Sequence, residues 1–535
     1  MSLARGQKYM KTLGKKFLVV MLTTIFLCST GAYGLNISTN SIEAFEKNYD
    51  ILNGQKIQKF VDEDIDPNTN LKITVSITEV RALDDFEKIG GPDFYFKIFI
   101  EDEMFESNVW NNQKYLYGDP YLFQATADIP DNQEFVNVTI QLWDKQLGLD
   151  RLCDLSNNRE YFANAYDIDM YYNTKTGHWD GEDYLYQDPV SYSDKSGYGR
   201  LCGTDDGSIY ENDRDCELWF EITQSDTDGD GIPYWTEVNE FGTDPMVNDT
   251  GRDDDEDGVP IEWEFKWGYT YRYNWHEHTI ESFWMYDPFV WENHSSFDPE
   301  QDGLDNVEEY MTSQWGSDPF RKDIFVELDQ MEAGPDGQPA SVLPEGAKEL
   351  LKTPFDRRNI VYHLDDGCMG GGEMIPFIEF IEWHSNEMYD VYNASFLHGD
   401  ENNWRRGVFF WGAVLYDANY SGYNFEMGAW QISAKWIDRP RHQIQKIRYG
   451  ADVVYASVYM HEHGHSLGLN GDLIYGHDTD SYYPWQPNYW KFRPYYSCMN
   501  YGYTYAMVDF SDGSRGKNDQ NDWANMDLTL FQKDI

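Results

Sequence analysis

Apolar residues take every second position along several stretches in the first half of the chain. The segment Leu71–Ile77 alternates apolar with polar side chains, a period of two that is typical of a strand with one buried face. Phe94–Ile100 and Phe135–Trp143 repeat the pattern, and Leu218–Ile222 supplies a closing strand. Turn residues separate these runs and no long helical pattern lies between them, so residues 71–224 are predicted to form an all-β sandwich.

The pattern changes between residue 321 and the end of the chain. Ile324–Leu328 alternates as a strand, and Val408–Leu415 is an apolar run that indicates either a core strand or an edge strand able to align an extended peptide. Ala451–Met460 is rich in Ala, Val and Tyr and contains no Gly or Pro, which predicts a buried helix that ends near Gly468. The mixture predicts an α/β (α+β) domain over residues 321–535.

The acidity of the chain limits its partners. Its 535 residues carry a net charge of -53, whereas nucleic acids and anionic membrane surfaces require clustered Lys and Arg. The carboxylates therefore either bind divalent cations or keep the protein soluble. The length exceeds what one hydrophobic core supports and favours about three domains.

The N-terminus has the features of an export signal. Positive charge at Lys11, Lys15 and Lys16 precedes the apolar stretch Phe17–Cys28, and small residues favour cleavage after Gly34. We predict a signal peptide over 1–34, a linker or short pro-segment over 35–70, and a secreted or extracellular mature chain without a membrane span. An uncleaved anchor is the alternative, although the apolar stretch is shorter than a bilayer span.

Of the six cysteines, Cys28 lies in the predicted signal, which leaves an odd number. An exported protein favours disulfides, here Cys368 with Cys498 and one pair among Cys153, Cys202 and Cys216. Spacing alone does not fix the connectivity.

Three acidic loops between residues 225 and 320 match the calcium-binding pattern D-x-[DN]-x-[DN]-G-x5-E, the third with Glu at its third position. Alternate carboxylates, one backbone carbonyl and a distant Glu supply the six to eight oxygens that Ca²⁺ requires. The predicted ligands are Asp226, Asp228, Asp230, Ile232 and Glu237; Asp253, Asp255, Asp257, Val259 and Glu264; and Asp298, Glu300, Asp302, Leu304 and Glu309.

These loops lack the flanking helix pairs of an EF-hand. With the Asp-Pro pairs that follow them at Asp244, Asp287 and Asp318, they resemble the aspartate-rich repeats of thrombospondin type 3. The resemblance implies several structural calcium ions, with the Asp-Pro aspartates often binding a neighbouring ion. An acidic linker without metal is the alternative interpretation. The region has few aliphatic residues, so metal binding would have to offset its loss of chain entropy.

A zinc site is predicted at His461-Glu462-His463-Gly464-His465, which is the sequence H-E-x-x-H. Two histidines one helical turn apart lie on the same face and can bind one Zn²⁺. Gly468 adds the break that follows this motif, and Ser497–Tyr501 contains Met499 in a segment that resembles a Met-turn. The C-terminal region therefore resembles the metzincin family of zinc proteases and implies a zincin-type catalytic domain.

The chain departs from the metzincin pattern at the third zinc ligand, because Gly471 stands where the family has a His. Leishmanolysin-like members carry an insertion before that ligand. By this resemblance His477 is the first candidate, Asp478 the second and Asp472 the third. Whichever of the neighbours His477 and Asp478 does not bind zinc would hold a zinc ligand in its orientation.

The resemblance implies hydrolysis of a protein or peptide substrate by zinc-activated water, with Glu462 as the general base. Tyr501 matches a tyrosine that some metzincins place near the oxyanion, although a core aromatic residue would fit equally well. His463 is expected to lie at the surface or in the packing. The rival hypothesis is a calcium-dependent surface-binding or adhesion protein with a non-catalytic zinc site, for which a general base such as Glu462 would have no use.

The N-terminal strands loosely resemble a C2-type sandwich. Acidic positions at Asp84, Asp85, Asp93 and Asp144 fall where such folds place calcium-binding loops. Acidic loops that only face solvent would give the same pattern. Neither the substrate nor the oligomeric state follows from the sequence.

Overall fold

The computed structural model describes residues 64–86, 90–156, 166–185, 197–206, 214–274, 279–383, 385–470, 475–479 and 481–534. The predicted signal peptide, the predicted linker before residue 64 and Asp472 lie outside the described residues. Among the described residues, no helix has both the length and the apolar character needed to cross a membrane.

Two antiparallel sheets form the N-terminal part, as the alternating pattern predicts. One sheet has the order β10-β11-β1-β4 with β5 also on β1, and the other has the order β3-β2-β6-β8-β9 with β7 on β6. Their inward side chains share one core, so this part is a β-sandwich. The strands are β1 Lys72–Ala82, β2 Phe94–Ile100, β3 Glu103–Glu106, β4 Tyr115–Tyr117, β5 Phe123–Asp128, β6 Phe135–Asp144, β7 Arg151–Leu152, β8 Ile168–Asn173, β9 His178–Gly181, β10 Arg200–Cys202 and β11 Cys216–Gln224.

The acidic repeats form short helices and one hairpin that pack against the sandwich. Val259, Trp263, Trp267 and Tyr286 are buried in the same core as the two sheets, because apolar side chains alternate with the acidic positions here. The elements are the helical segments Tyr234–Thr236 and Glu237–Phe241, helix α1 Ile261–Gly268, strands β12 Tyr269–Asn274 and β13 Thr279–Trp284, and helix α2 Asn306–Thr312.

The C-terminal part is a mixed sheet with helices, in agreement with the predicted α/β class. Its order is β15-β14-β17-β19-β18, with β16 also on β14; neighbours are parallel except for β18, which runs antiparallel to β19. The elements are β14 Lys322–Met331, α3 Glu345–Asp356, β15 Ile360–Asp365, β16 Met374–Ile375, α4 Asn386–Ser395, α5 Arg405–Val408, β17 Phe409–Leu415, β18 Gly422–Glu426, β19 Ala429–Ser433, α6 Ala434–Ile437, α7 Gln443–Tyr449, α8 Ala451–Ser466, β20 Tyr475–Asp478 and α9 Pro487–Lys491.

The edge-strand hypothesis for Val408–Leu415 is wrong. Strand β17 lies between β14 and β19, and all seven of its residues are buried, which explains its continuous apolar run. The strand that ends this sheet is β18, whose burial alternates. Helices α3 and α8 pack together over the sheet in a second core.

Buried charges join the sandwich to the α/β part. Arg81 on β1 donates to Glu349 and, over 3.2 Å, to Asp356, both on α3. Arg200 on β10 donates to the side chain of Asn359 over 2.7 Å, and both arginines are almost completely buried. The contact between the two parts is therefore built on two buried guanidinium groups.

The expected disulfides are not present among the described residues. Cys153, Cys216, Cys368 and Cys498 are free thiols. Cys368 is exposed, whereas Cys498 is buried beneath α8, so these two do not pair. Burial and a hydrogen bond with Cys153 raise the pKa of the Cys216 thiol.

Candidate active site

Helix α8 presents the predicted zinc motif inside a cleft. His461 and Glu462 are buried, and His465 is partly exposed. The Nε2 atoms of the two histidines approach Asp478 on β20, at 3.3 Å from Oδ1 for His461 and 3.6 Å from Oδ2 for His465. These three side chains form a group whose donor atoms are mutually close enough to hold one metal ion.

Backbone carbonyls orient both imidazole rings. The Nδ1 atom of His461 lies 2.9 Å from the carbonyl of Cys498, and the Nδ1 atom of His465 lies 2.8 Å from the carbonyl of Leu469. A carbonyl can only accept, so each Nδ1 carries the proton. The Nε2 atoms of both rings therefore point toward Asp478, so that a metal ion bound between them would replace any proton on these nitrogens.

The end of α8 creates the second of these contacts. Gly468 has a φ of 85°, and the amides of Gly468 and Leu469 donate to the carbonyls of His465 and Gly464. This is the Schellman arrangement that ends a helix with a left-handed residue. It turns the chain so that the carbonyl of Leu469 meets His465, and the predicted break at Gly468 is confirmed.

Met499 lies beneath the histidine turn, as the Met-turn resemblance implies. It is completely buried, and a Cβ at Gly464 would meet its sulfur at 2.5 Å. The close approach of this helix to Met499 therefore depends on glycine at position 464. The same segment carries the carbonyl of Cys498 that orients His461.

The preferred third ligand is corrected by the structure. His477 does not join the two histidines: its Nε2 lies 3.1 Å from Asp522, and its ring stacks on Tyr495. Asp478, the second candidate, takes the place, because adjacent residues of a strand point to opposite sides. Asp478 has a φ of 48°, a left-handed conformation that Asp tolerates better than most residues.

Charge in this cluster is distributed unevenly. Burial alone would lower the pKa of His461, but the hydrogen bond to Asp478 and the charges of Glu462 and Asp478 raise it to about 9. Burial and the charge of His461 lower the pKa of His465 to about 4. Burial raises the pKa of Glu462 to about 7, which suits a group that must take up and release a proton near neutral pH.

Tyr501 and Gly422 complete the surroundings of Glu462. The Tyr501 ring stacks on His461 at 5.7 Å between centroids, and burial and the charge of Asp478 raise the pKa of its hydroxyl. A Cβ at Gly422 on β18 would lie 2.5 Å from Oε1 of Glu462. The edge strand therefore runs directly beside the glutamate, and both line a cleft of about 1300 Å³.

His463 faces away from the cleft. It is completely buried, with its ring stacked on Trp430 at 4.5 Å, and burial lowers its pKa to about 3. It is a packing residue and not a surface residue.

The three acidic loops have the same backbone arrangement. The amide of each loop glycine donates to the first aspartate, from Gly231 to Asp226 over 2.8 Å, from Gly258 to Asp253 over 3.1 Å, and from Gly303 to Asp298 over 3.2 Å. In the first two loops the three alternate aspartates form a group that could hold one ion. The closing glutamates Glu237, Glu264 and Glu309 each lie on the short helical segment that follows its loop.

The Asp-Pro aspartates form turns after the three loops. Asp244, Asp287 and Asp318 each accept the backbone amide two residues later, at 3.2, 3.2 and 2.9 Å. Each of these aspartates turns the chain. The acidic residue five positions after it then contacts the acidic loop that precedes the turn.

Those returning residues, Asp249, Glu292 and Asp323, were not found from the sequence. Their amides donate to Oδ2 of Asp230, Asp257 and Asp302, over 3.2, 3.2 and 2.6 Å. The repeated spacing Asp-Pro-x3-[Asp/Glu] in the sequence could have identified these three residues.

Burial and neighbouring carboxylates raise the pKa of several acidic residues here. The pKa is raised to about 8 for Glu237, to about 10 for Glu264 and to about 12 for Glu300. Glu309 is completely buried, and neither of its carboxylate oxygens has a hydrogen-bond partner. Such a concentration of buried carboxylates is compatible with charge only beside a cation.

The acidic positions of the sandwich are paired within the protein. Asp144 lies 2.8 Å from Arg151, and Asp85 lies 2.8 Å from Lys114. Asp93 accepts the amide of Asn112. These contacts favour the interpretation of these loops as ordinary acidic loops.

Comparisons with known proteins give likeness only for part of the chain. No protein-family profile and no curated protein matches it. A solved C2 domain is 12% identical over 29% of this chain and 98% of its own, with a TM-score of 0.17. A C2 domain of a plant extended synaptotagmin 1 is 11% identical over 29% of this chain and 94% of its own, also with a TM-score of 0.17. Human GIVD cytosolic phospholipase A2 is 13% identical over 29% of this chain, which spans 17% of that protein, with a TM-score of 0.17.

Proposed function

We propose that this chain is a secreted zinc-dependent endopeptidase with structural calcium ions in its acidic loops. The observation that carries the proposal is the convergence of His461, His465 and Asp478, with Glu462 next to them on the same helix. Two imidazole rings fixed through Nδ1, which would bind zinc through Nε2 with release of any proton there, and one carboxylate match the donor set of catalytic zinc sites with three protein ligands. Zinc held there would polarise a substrate carbonyl and lower the pKa of water.

The residues around this group have distinct roles in the proposal. Glu462 takes a proton from the attacking water and returns it to the leaving amine, for which a pKa raised to about 7 by burial is suitable. The hydroxyl of Tyr501, which keeps its proton because burial raises its pKa, would donate to the oxygen that gains negative charge. The carbonyls of Cys498 and Leu469 hold the two histidine rings in place.

An extended peptide would bind along β18. This strand ends its sheet, so among the described strands its outer edge is left for backbone hydrogen bonds with a substrate. Gly422 at its start brings that edge next to Glu462. The side chain of Asn424 donates to Ser466 over 2.6 Å, which ties the strand to the end of α8.

Calcium would occupy the acidic loops. The shared loop geometry, the buried closing glutamates and the returning acids Asp249 and Asp323 offer the hard oxygens that Ca²⁺ prefers. The carbonyls of Ile232, Val259 and Leu304 stay predicted ligands, and their side chains are anchored in the cores.

Hydrolysis of an unfolded protein substrate such as casein tests the proposal. The full chain, loaded with Zn²⁺ and Ca²⁺, is compared with E462Q and with D452N, a control at the exposed start of the same helix. Loss of the base should lower the rate at least about 100-fold, with unchanged zinc content and melting temperature. D452N should keep full activity.

A zinc chelator should abolish hydrolysis, and added Zn²⁺ should restore it. If E462Q cleaves casein as fast as the unmodified chain, the endopeptidase proposal is wrong. A fully metal-loaded chain that cleaves nothing, yet binds cells only with Ca²⁺, would instead establish the adhesion alternative.

A further inference from the structure

The second acidic repeat differs from the other two in one side chain. His294 follows Glu292 and lies seven residues after the aspartate of the Asp-Pro pair at Asp287. The corresponding positions in the first and third repeats are Gly251 and Phe325. The second repeat alone therefore offers a nitrogen donor at this place.

His294 is directed into the carboxylates of its own repeat. Its Nε2 lies 3.1 Å from Asp257, 3.6 Å from Glu292 and 3.7 Å from Glu264. The histidine side chain is completely buried, and Nε2 has no hydrogen-bond partner. The buried Oε1 of Glu264 has none either. These four residues form a group that could hold one ion.

The surroundings hold the ring in this orientation. Trp263, Tyr286 and Phe297 meet it edge to face at 5.8, 5.0 and 5.8 Å between centroids. The Nδ1 atom lies 2.9 Å from Nδ2 of Asn306, whose Oδ1 is buried without a partner. A 180° rotation of the Asn306 side-chain amide exchanges the positions of Oδ1 and Nδ2 with little change in shape. Nδ1–H then donates to Oδ1, and the Nε2 lone pair faces the carboxylates.

We propose that Asp257, Glu264, Glu292 and His294 form a second transition-metal site, separate from the zinc site of α8. Ca²⁺ and Mg²⁺ take oxygen ligands, whereas a neutral imidazole nitrogen is bound by Zn²⁺, Mn²⁺ or Co²⁺. The class of ligand is therefore a first-row divalent transition ion. Asp257 also belongs to the group formed with Asp253 and Asp255, and Glu264 is the predicted closing ligand of the second loop. Both carboxylates would therefore be shared between this ion and the calcium of that loop.

Metal counting on the full chain tests the site. Protein stripped with a chelator is refilled with excess Ca²⁺, titrated with Zn²⁺, freed of unbound ions by gel filtration and analysed by mass spectrometry of the elements. H294Q should retain one zinc ion fewer per chain than the unmodified protein. H398Q changes an exposed histidine near Glu373 and should leave the count unchanged.

Two further variants separate this inference from the proposed active site. H465Q alters the α8 site only, so a loss in H465Q without a loss in H294Q overturns the second site and leaves the endopeptidase proposal intact. Loss of a zinc ion in H294Q but not in H465Q would support the second site and contradict zinc binding at the α8 site. If H294Q fails to fold, E292Q provides the test, because it changes a partly exposed ligand. E292Q should weaken Zn²⁺ binding about 10-fold or more. Equal zinc counts and affinities in E292Q and the unmodified chain would also overturn the site.

Discussion

At the scale of single residues, the third ligand shows what sequence spacing can and cannot determine. The family resemblance led to the correct segment but ranked His477 before Asp478. That choice was wrong, because it depends on which side of β20 faces α8 and on the left-handed backbone of Asp478. His477 instead contributes to a buried network in which Asp522 also accepts from Tyr495 and Ser497.

These two neighbouring residues should respond differently to substitution. D478N should remove zinc from the α8 site and abolish hydrolysis, because an amide is a much weaker ligand than a carboxylate. H477Q should keep one zinc ion at this site and lower the free energy of unfolding by about 1–3 kcal/mol, since it disturbs a buried hydrogen bond. Metal analysis together with urea unfolding distinguishes the two. Loss of zinc in H477Q with retention in D478N would reverse the assignment.

At the scale of elements, strands were predicted well where the sequence alternates with a period of two. β1, β2, β6, β11 and β14 all lie on segments with a period of two, and α8 covers the predicted helix. The position of β17 could not be predicted, because a fully buried run looks the same at an edge and in the middle of a sheet. Its interior position follows only from pairing with β14 and β19, which are distant in sequence.

The edge strand provides a test of the cleft geometry. G422A would place a methyl group 2.5 Å from the Glu462 carboxylate, so the glutamate must move. A displacement of about 1 Å can cost about 100-fold in rate, and we expect a fall of this size in casein hydrolysis with little change in melting temperature.

G407A is the matched control for this substitution, because its new methyl group would meet its nearest neighbour, Glu308, at an ordinary 3.5 Å. Equal activity of the two variants would show that β18 does not constrain the base.

At the scale of the whole molecule, the acidic repeats are part of the folded body and not an independent linker. Sequence spacing identified the loops, but it did not show that Trp263 and Tyr286 pack into the sandwich core. It also missed Asp323, which lies on the first strand of the α/β part and reaches the third loop. Metal in these loops should therefore stabilise the entire chain.

Removal of calcium should make stability depend on pH with a definite sign. Without the ion, burial raises the pKa of Glu237 to about 8 and of Glu264 to about 10, above the value of about 4.3 in an unfolded chain. The stabilisation that these two protonated carboxyl groups provide is complete below the pKa of the unfolded chain. It is lost as the pH rises through their pKa values in the folded chain. The melting temperature of the chelated chain should therefore fall between pH 5 and about pH 8.

Excess Ca²⁺ should remove most of this pH dependence, because it binds the ionised carboxylates. Each site at 100 times its Kd adds about 2.7 kcal/mol. Calorimetry over the same pH range measures both series. Identical slopes with and without Ca²⁺ would contradict calcium binding in the loops.

The arginines that cross from β1 and β10 to α3 have a consequence for the lifetime of the assembly. A single backbone cut in the repeats would not free either half, because the contacts of Arg81 with Asp356 and Glu349 join the two parts without passing through the repeats. Nicked molecules should accordingly travel as one particle through a sizing column and come apart only in denaturant.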